Sequence, residues 1–337
     1  MKNLSKKVLV LALVLILALS ICMLAACNKD ESNSETSDTV DNIPNLTLLY
    51  EQDNSLMNTY TMIAVNGAGL STPKTLNDAG ADAFINWMGL ASTRNDLIAK
   101  YGIANYKEAL FYLKTDAPTY SGTLADLAYT TAKSASNEIK ISTTTSVNDT
   151  GLLGYLGEKF KEQTGWEILV TSAGTGKAIQ NAKDGNADML LVHAKAQEET
   201  FVSGGYARTV TGYSSERISF MYNYFVLVGP KNDPAGVKDC ATIIDGFKAI
   251  KNTASKFVSR GDNSGTHTKE ISLWTAAGET GIGWDTATST AVYPSEYTWY
   301  TAAAAGMTAS LAVANETNAY ILSDKGTYLA NKNAKKA

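Results

Sequence analysis

Three segments of the sequence place hydroxyl side chains where a β-type run gives way to a helical pattern. They are Ile139-Lys-Ile-Ser-Thr-Thr-Thr-Ser146, Ile168-Leu-Val-Thr-Ser-Ala-Gly-Thr-Gly-Lys177 and Lys256-Phe-Val-Ser-Arg-Gly-Asp-Asn-Ser-Gly-Thr-His267. The first turn of a helix has free N–H groups and a partial positive charge, and Ser and Thr add further donors. Each junction therefore predicts an anion site, although one junction alone could be a simple helix cap or a tight turn.

Arg260 adds a guanidinium to the third junction, and this planar fork suits the oxygens of a tetrahedral oxyanion. These groups predict a site that holds a fully ionised dianion mainly by neutral donors, because few lysines then have to be desolvated. A protonated anion would also need an acceptor, for which Asp149 and Asp262 are the candidates. The alternative for Arg260 is a structural salt bridge with Asp262.

Catalytic chemistry has little support in the sequence. The chain contains two histidines, His193 and His267. A Ser264–His267–Asp262 triad is conceivable by residue type, but residues this close in sequence rarely reach triad geometry. The sequence patterns of a nucleophile elbow, a paired-histidine helix and an acidic metal loop are absent. We predict a binding protein with no catalytic residue, cofactor or metal. A surface serine hydrolase and an adhesion module using Arg260-Gly-Asp262 are the alternatives of another class.

The elements that carry these junctions follow an α/β pattern, because short apolar runs alternate with helical patterns along the chain. The Ile218–Val228 run is too long for an ordinary buried strand and could cross from one domain to another. Residues 115–137 are small and polar, which predicts a linker. Roughly 290 residues follow residue 45, enough for two domains of ordinary size.

The first residues have the pattern of a targeting segment. A basic start precedes an apolar run over residues 8–23, which Leu24-Ala-Ala-Cys27 closes. This last pattern resembles the lipobox of bacterial lipoproteins and implies a signal peptide over residues 1–27 with lipidation of Cys27. Residues 28–45 are polar and lack aromatic side chains, which predicts a flexible tether. An uncleaved anchor helix is the alternative.

Charge and cysteine content exclude two further classes. The formal net charge of −4 makes the chain a poor partner for nucleic acid. Of three cysteines, Cys22 lies in the predicted signal peptide and Cys27 is predicted to be lipidated, so Cys240 is left alone. A disulfide framework or a cysteine-based zinc site is therefore excluded.

Several segments in combination resemble the tungstate-binding lipoproteins of ABC importers. The resemblance runs from about Glu138 to Asn331 and implies the two-domain type II periplasmic-binding-protein fold, in which two α/β domains close on one oxyanion. Tyr224 departs from the family pattern, which has Asp there. The segments that carry the resemblance are Ser142–Ser146, Gly174–Gly176, Ala187–His193, Phe220–Pro230, Phe257–His267 and Ala319–Tyr328.

The resemblance also implies a ligand and partners. Tungstate is the implied ligand, with molybdate, phosphate or another tetrahedral oxyanion as alternatives. The implied partners are an ABC permease, its ATPase and the membrane, through lipid on Cys27. The chain is expected to be a monomer on the extracytoplasmic face of the cell membrane. The implied oxyanion-binding residues are Thr144, Thr145, Ser172 and Thr175 from one domain and Arg260, Ser264 and Thr266 from the other.

The order of segments differs from that family. Pieces that normally close its chain stand here at the front, including Leu46–Asp53, Asn58–Asn66 and Ala83–Trp87. We interpret this as a circular permutation, which is feasible when the original termini lie close together. A domain swap between two chains and a rearrangement of the gene are alternatives. The permuted order predicts domain one over residues 59–223, with the linker at about 115–137, and domain two over residues 224–337 plus 46–58.

Overall fold

The computed structural model describes residues 39–335. The predicted signal peptide, with Cys27, and residues 28–38 of the predicted tether lie outside this range. The described strands are β1 (Thr39–Val40), β2 (Leu46–Tyr50), β3 (Met57–Val65), β4 (Tyr112–Leu113), β5 (Glu138–Thr144), β6 (Glu167–Ala173), β7 (Met189–Val192), β8 (Ala207–Arg208), β9 (Ile218–Pro230), β10 (Phe257–Ser259), β11 (Gly283–Asp285), β12 (Thr290–Val292), β13 (Tyr300–Ala302), β14 (Tyr320–Asp324) and β15 (Ala334–Lys335).

The helices of the same range alternate with these strands, as expected for an α/β chain. Three single turns of 3₁₀ helix (Asn54–Leu56, Gly67–Gly69 and Val237–Asp239) and a π-helical segment (Thr93–Ile98) accompany them. The α-helices are α1 (Asp78–Gly89), α2 (Ile103–Tyr106), α3 (Leu124–Leu127), α4 (Thr145–Asn148), α5 (Leu152–Thr164), α6 (Thr175–Lys183), α7 (Lys195–Ser203), α8 (Ile243–Asn252), α9 (Gly265–Ala276), α10 (Met307–Thr317) and α11 (Lys325–Lys332).

The long strand β9 connects two half-sheets. Its residues Ile218–Tyr224 pair antiparallel with β3, whereas Phe225–Val228 pair antiparallel with β14. The main path of the sheet runs β13-β10-β14-β9-β3-β7-β5-β6. Because β5, β6 and β7 are mutually parallel, their carboxyl ends share one edge, and the parallel strands β10, β13 and β14 share another. The three hydroxyl-rich junctions lie at these carboxyl ends.

Each half-sheet has its own apolar core. In the half that contains β5, the rings of Phe84 and Phe160 pack edge to face with centroids 5.1 Å apart. In the half that contains β14, Phe247 and Trp274 do the same at 4.6 Å. Full burial of a side chain of this size stabilises the fold by roughly 1.5–3 kcal/mol. The two apolar cores are therefore separate, and the hydroxyl side chains of the three junctions belong to neither of them.

The predicted tether ends earlier than residue 45. Val40 pairs with Ala334 in a short antiparallel ladder, and the Ile43 side chain is buried in an apolar cluster. The backbone N–H of Asn45 donates to Asn315 Oδ1 at 2.9 Å. Residues 39–45 are therefore packed against the rest of the described chain by this pairing, this side chain and this hydrogen bond, in contrast to the flexible tether predicted from their composition.

The predicted linker is packed against the core rather than loose. Its helix α3 begins after Thr123, whose side chain accepts from the backbone of Asp126 in a capping box. Leu127 is buried, and its carbonyl accepts from Trp166 Nε1 at 2.9 Å. Hydrogen bonds of this kind hold residues 115–137 across the surface of the half that contains β5.

Strand β2 pairs with the long strand β9. Leu46–Tyr50 pairs antiparallel with Leu227–Pro230 of β9, although the two segments are far apart in sequence. The boundaries of the two predicted domains stay a prediction. No helix in residues 39–335 combines the length and apolar character needed to cross a membrane.

Candidate functional site

The first junction lies where β5 passes into α4. The hydroxyls of Ser142 and Thr143 donate to backbone carbonyls of neighbouring elements, at 3.1 and 2.7 Å. These two side chains therefore stabilise the sheet and are not free for a ligand. Thr144 is fully buried, with its Oγ1 3.1 Å from Ser146 Oγ, and Thr145 is partly buried at the helix start.

The second junction lies where β6 passes into α6. Ser172 pairs with Thr143 in the sheet and is half-buried. The described residues show no hydrogen bond from its side chain to the other predicted site residues. Thr175 begins the helix and is fully buried, and its hydroxyl has no hydrogen-bond partner within residues 39–335.

The third junction lies between β10 and α9. Arg260 is 1% exposed, and Gly261 follows it with φ 59°. A Cβ at Gly261 would lie 2.7 Å from Ala302, so both the backbone conformation and the space require glycine. Ser264 caps the helix, its Oγ accepting from the backbone N–H of His267 at 3.1 Å, which leaves the hydroxyl proton of Ser264 available to a ligand.

Hydrogen bonds bring the first and third junctions together. Arg260 Nη2 donates to Thr145 Oγ1 at 3.0 Å and to Asp262 Oδ2 at 2.6 Å. The salt bridge considered from the sequence is thus present. It uses one nitrogen of the guanidinium only, and a buried guanidinium normally needs more partners than one carboxylate and one hydroxyl.

The second junction contacts the third through backbone groups. The N–H of Gly176 donates to the carbonyl of Asn263 at 3.4 Å. A Cβ at Gly174 would lie 3.0 Å from the carbonyl oxygen of Asp262, a tight contact, so glycine eases the close approach of the two loops. The structure therefore brings all three predicted junctions to one place.

Unpaired buried donors are concentrated at this meeting point. Arg260 Nε and Nη1, Thr175 Oγ1 and Thr266 Oγ1 are buried and have no hydrogen-bond partner in the described part of the chain. Buried polar atoms in proteins are almost always hydrogen-bonded, and leaving one unpaired costs about 1–3 kcal/mol. Four donors without partners on facing loops indicate a site that a ligand with several acceptor oxygens would complete. We call Arg260, Thr175 and Thr266 the donor group.

The hydrolase and adhesion alternatives do not fit this geometry. Ser264 faces the backbone N–H of His267, while Nδ1 of the His267 ring accepts from the backbone of Asn263 at 3.1 Å. The Ser264–His267–Asp262 triad is therefore not assembled. Arg260 is buried rather than displayed, so an adhesion loop built on it is not supported. Within residues 39–335, no group of three or more His, Cys, Asp or Glu is placed to hold a metal.

Sequence reasoning missed a second polar cluster behind the donor group. His193 ends β7, and its Nε2 lies 2.9 Å from Ser146 Oγ while its Nδ1 lies 2.7 Å from Asn58 Oδ1. Asn58 Nδ2 donates to Asn223 Oδ1 at 2.8 Å, and Asn223 Nδ2 donates to Asp324 Oδ1 at 3.5 Å. Asn58 and Asn223 are direct register partners on β3 and β9. The signal in the sequence was an asparagine in each of two apolar strands, at Asn58 and Asn223. Its meaning becomes clear only when the pairing of the two strands is known.

Burial controls the protonation of this cluster. It lowers the pKa of His193 to about 3, with the positive charge of Arg260 acting in the same direction. It raises the pKa of Asp324 to about 6, an effect limited by hydrogen bonds from the backbone and hydroxyl of Thr327. At neutral pH, His193 is therefore a neutral ring and Asp324 is mainly a carboxylate.

Comparison with known proteins gives the family. Residues 128–337 match the family model of the PBP superfamily domain. The tungstate-binding protein TupA of Peptoclostridium acidaminophilum is 44% identical over 200 residues, which cover 59% of this chain and 63% of the relative. A putative ABC transporter anion-binding protein of Haloferax volcanii is 40% identical over 198 residues, with 59% and 52% covered.

Solved structures were matched as well. The crystal structure of the tungstate ABC transporter from Geobacter sulfurreducens is 39% identical, the match covering 59% of this chain and 77% of that chain, with a TM-score of 0.48. The match spans less than two thirds of each of the two curated relatives. The family model, in contrast, matches more than half of this chain. The protein therefore belongs to the PBP superfamily and has the mixed α/β architecture predicted from its sequence.

Proposed function

We propose that the protein is an extracytoplasmic solute-binding protein that captures tungstate for an ABC importer. The observation that carries the proposal is the donor group, whose buried nitrogens and hydroxyls lack partners where three strand–helix junctions meet. The tungstate-binding relative at 44% identity supports the choice of ligand. Molybdate, which has the same shape and charge, is the nearest alternative.

The binding would use hydrogen bonds and one formal charge. Thr145, Thr175 and the nearby Ser172 and Thr144 would form one wall, and Arg260, Ser264 and Thr266 the other. Hydrogen bonds to an ionised partner contribute roughly 1.5–3 kcal/mol each, about twice the value for neutral pairs. The oxygens of a dianion would accept hydrogen bonds from the unpaired buried donors. No covalent bond would be made or broken, so the function would consist of binding and of closure around the ligand.

Ligand charge separates tungstate from phosphate. A fully ionised anion needs donors only, whereas hydrogen phosphate also presents an O–H that needs an acceptor. Of the two candidate acceptors, Asp262 already accepts from Arg260 and from the backbone N–H of Ser264 at 3.2 Å, and Asp149 accepts from Thr308 Oγ1 at 3.1 Å. Because both carboxylates have other partners, a ligand without a proton is favoured.

Titration calorimetry with tungstate, molybdate, sulfate and phosphate at neutral pH tests the proposal. We expect tungstate to bind most tightly and phosphate at least a hundredfold more weakly. Micromolar or weaker tungstate binding beside tighter phosphate binding would overturn it. Thermal unfolding with and without each anion gives an independent measure, because a ligand that binds only the folded state raises Tm.

The partners proposed for this function are an ABC permease with its ATPase, and the membrane through lipid on Cys27. The proposed state is a monomer on the extracytoplasmic face. Metabolic labelling with a radioactive fatty acid tests the anchor, since Cys27→Ala should lose the label and leave the membrane fraction. Label retained by Cys27→Ala would contradict it.

We also propose that the chain order is a circular permutation within one molecule. The pairing of Val40 with Ala334 brings the two ends of the described chain together, as a permutation requires. A reordered chain that joins residue 335 to residue 39 and opens between the exposed residues Ala135 and Ser136 should fold as a monomer and bind the same anion. A domain swap predicts instead that this chain, like the natural one, forms dimers at micromolar concentration.

A further inference from the structure

A continuous line of buried polar side chains runs from α11 to the anion-binding wall. It begins at the Asp324 carboxylate, passes through Asn223, Asn58, His193 and Ser146, and ends at Thr144. We call these six residues the relay. Each is 6% exposed or less, so solvent does not compete for its hydrogen bonds. The neighbouring distances are 3.5, 2.8, 2.7, 2.9 and 3.1 Å.

The direction of each hydrogen bond follows from the carboxylate end. An ionised carboxylate only accepts, so the amide NH₂ of Asn223 must face Asp324 and its Oδ1 must face Asn58. The NH₂ of Asn58 then faces Asn223, where it also donates to Tyr60 OH at 3.0 Å. Asn58 Oδ1 is left to face His193 Nδ1, which must therefore carry the ring proton.

The remaining two bonds are fixed by the neutral ring. Burial and the charge of Arg260 keep the pKa of His193 far below neutrality, so a ring with its proton on Nδ1 has a bare Nε2. The Ser146 hydroxyl must donate to this nitrogen, and the lone pairs of Ser146 then accept from Thr144. Every donor in the relay points towards Asp324.

We propose that Asp324 is a positioning residue which, through this one-way relay, directs the Thr144 hydroxyl proton away from the anion. The inference rests on the proposed function for its ligand, but the hydrogen-bond directions do not depend on it. Thr144 then offers lone pairs at the wall, while its neighbour Thr145 accepts from Arg260 and keeps its own proton for the anion. Two adjacent threonines therefore have opposite roles, which their sequence does not reveal.

The two histidines of the chain make the directions measurable. In His267, Nδ1 accepts from the backbone N–H of Asn263 and burial lowers the pKa to about 4, so the proton is on Nε2. His193 and His267 are thus expected to be opposite tautomers. Long-range ¹H–¹⁵N spectra of the full chain, labelled at histidine, distinguish the two forms, and either His267→Gln or His193→Gln assigns the signals.

Two substitutions at position 324 form a matched pair. Asp324→Asn keeps an acceptor oxygen that can face both Asn223 and the backbone N–H of Thr327, so His193 should retain its Nδ1 proton. Asp324→Ala removes the acceptor, and the His193 signals should shift towards the other tautomer or an average of both. A wild-type His193 protonated at Nε2, or signals unchanged in Asp324→Ala, would overturn the proposal.

The ligand-dependent consequence is tested at the two threonines. We expect Thr145→Val to weaken anion binding at least tenfold, and the loss from Thr144→Val to be at least threefold smaller. Equal losses would contradict the assigned direction at Thr144. If no tungstate or molybdate binds, the proposed function fails while the tautomer measurement still decides the relay.

Discussion

The donor group and the relay are neighbouring polar clusters that differ in one respect. Both are almost fully buried, with Arg260 1% and Asp324 0% exposed. Each residue of the relay is hydrogen-bonded to the next. The donor group, in contrast, leaves four buried donor atoms without a partner in residues 39–335. Burial therefore does not distinguish the two clusters. The number of unused donors on neighbouring loops does, although single unpaired donors such as Thr93 Oγ1 and Arg94 Nε also occur elsewhere in the described chain.

The comparison predicts that buried groups whose hydrogen bonds are satisfied within the protein affect its stability. Among such groups outside the two clusters, we expect Glu270 to have the largest effect on the free energy of unfolding. Its carboxyl accepts from Tyr300 OH at 2.7 Å and from Trp274 Nε1 at 3.2 Å. Burial nevertheless raises its pKa to about 8. Between the ordinary carboxyl pKa and this value, the folded state holds a proton that the unfolded state has released. The free energy of unfolding should therefore fall as pH rises through this window, by up to about 1.4 kcal/mol per pH unit.

Chemical denaturation of wild type and Glu270→Gln from pH 4.5 to 8 checks this expectation. The glutamine keeps an acceptor for Tyr300 and Trp274 but cannot ionise, so this contribution to the slope should disappear. Glu158→Gln, at an exposed site on α5, makes the same change of side chain and should leave the slope unchanged. Parallel slopes for wild type and Glu270→Gln would show that Glu270 titrates normally.

Arg260→Ala should give the largest loss of affinity. It removes two unused donor nitrogens and the hydrogen bond to Thr145, and we expect tungstate binding to weaken by roughly 1.5–3 kcal/mol. Arg94→Ala is the matched control, because Arg94 is also buried and also has an unpaired Nε, but its Nη1 and Nη2 donate to the carbonyls of Ala117 and Lys114. It should lower the unfolding free energy without changing the affinity of the folded fraction. Unchanged affinity in Arg260→Ala would remove this residue from the site.

Thr175→Val and Thr266→Val test the unused hydroxyls. Each replaces an unpaired buried hydroxyl with a methyl group of similar size, so the ligand-free protein should be as stable as wild type or more stable. Anion affinity should fall by about 0.5–1.5 kcal/mol for each change. Denaturation without ligand and calorimetry with tungstate measure the two effects separately. A clear loss of ligand-free stability would mean that these hydroxyls are paired in solution.

The sequence predicted the meeting of the three junctions better than it predicted the residues around them. The three junctions could be identified because strand–helix transitions rich in Ser, Thr and Gly are local patterns, and parallel strands bring their ends together. The relay could not be identified, because Asn58, His193, Asn223 and Asp324 come from four distant segments and acquire meaning only through strand register. The tether was assigned by composition, which averages over the single buried side chain of Ile43.

We expect Ser172 to have the smallest effect on anion affinity. It also tests whether a hydroxyl must be buried and unpaired to contribute to binding. The family resemblance implies that it binds the anion, yet it is half-buried and pairs with Thr143 two residues before Gly174. A half-exposed hydroxyl exchanges water for ligand at little net gain, so Ser172→Ala should change affinity by less than about 0.5 kcal/mol. Thr175→Val, three residues further on and fully buried, should cost clearly more in the same titration. Equal losses would mean that the second junction contributes through its whole loop, and that an unpaired, buried hydroxyl is not what distinguishes a ligand-binding residue here.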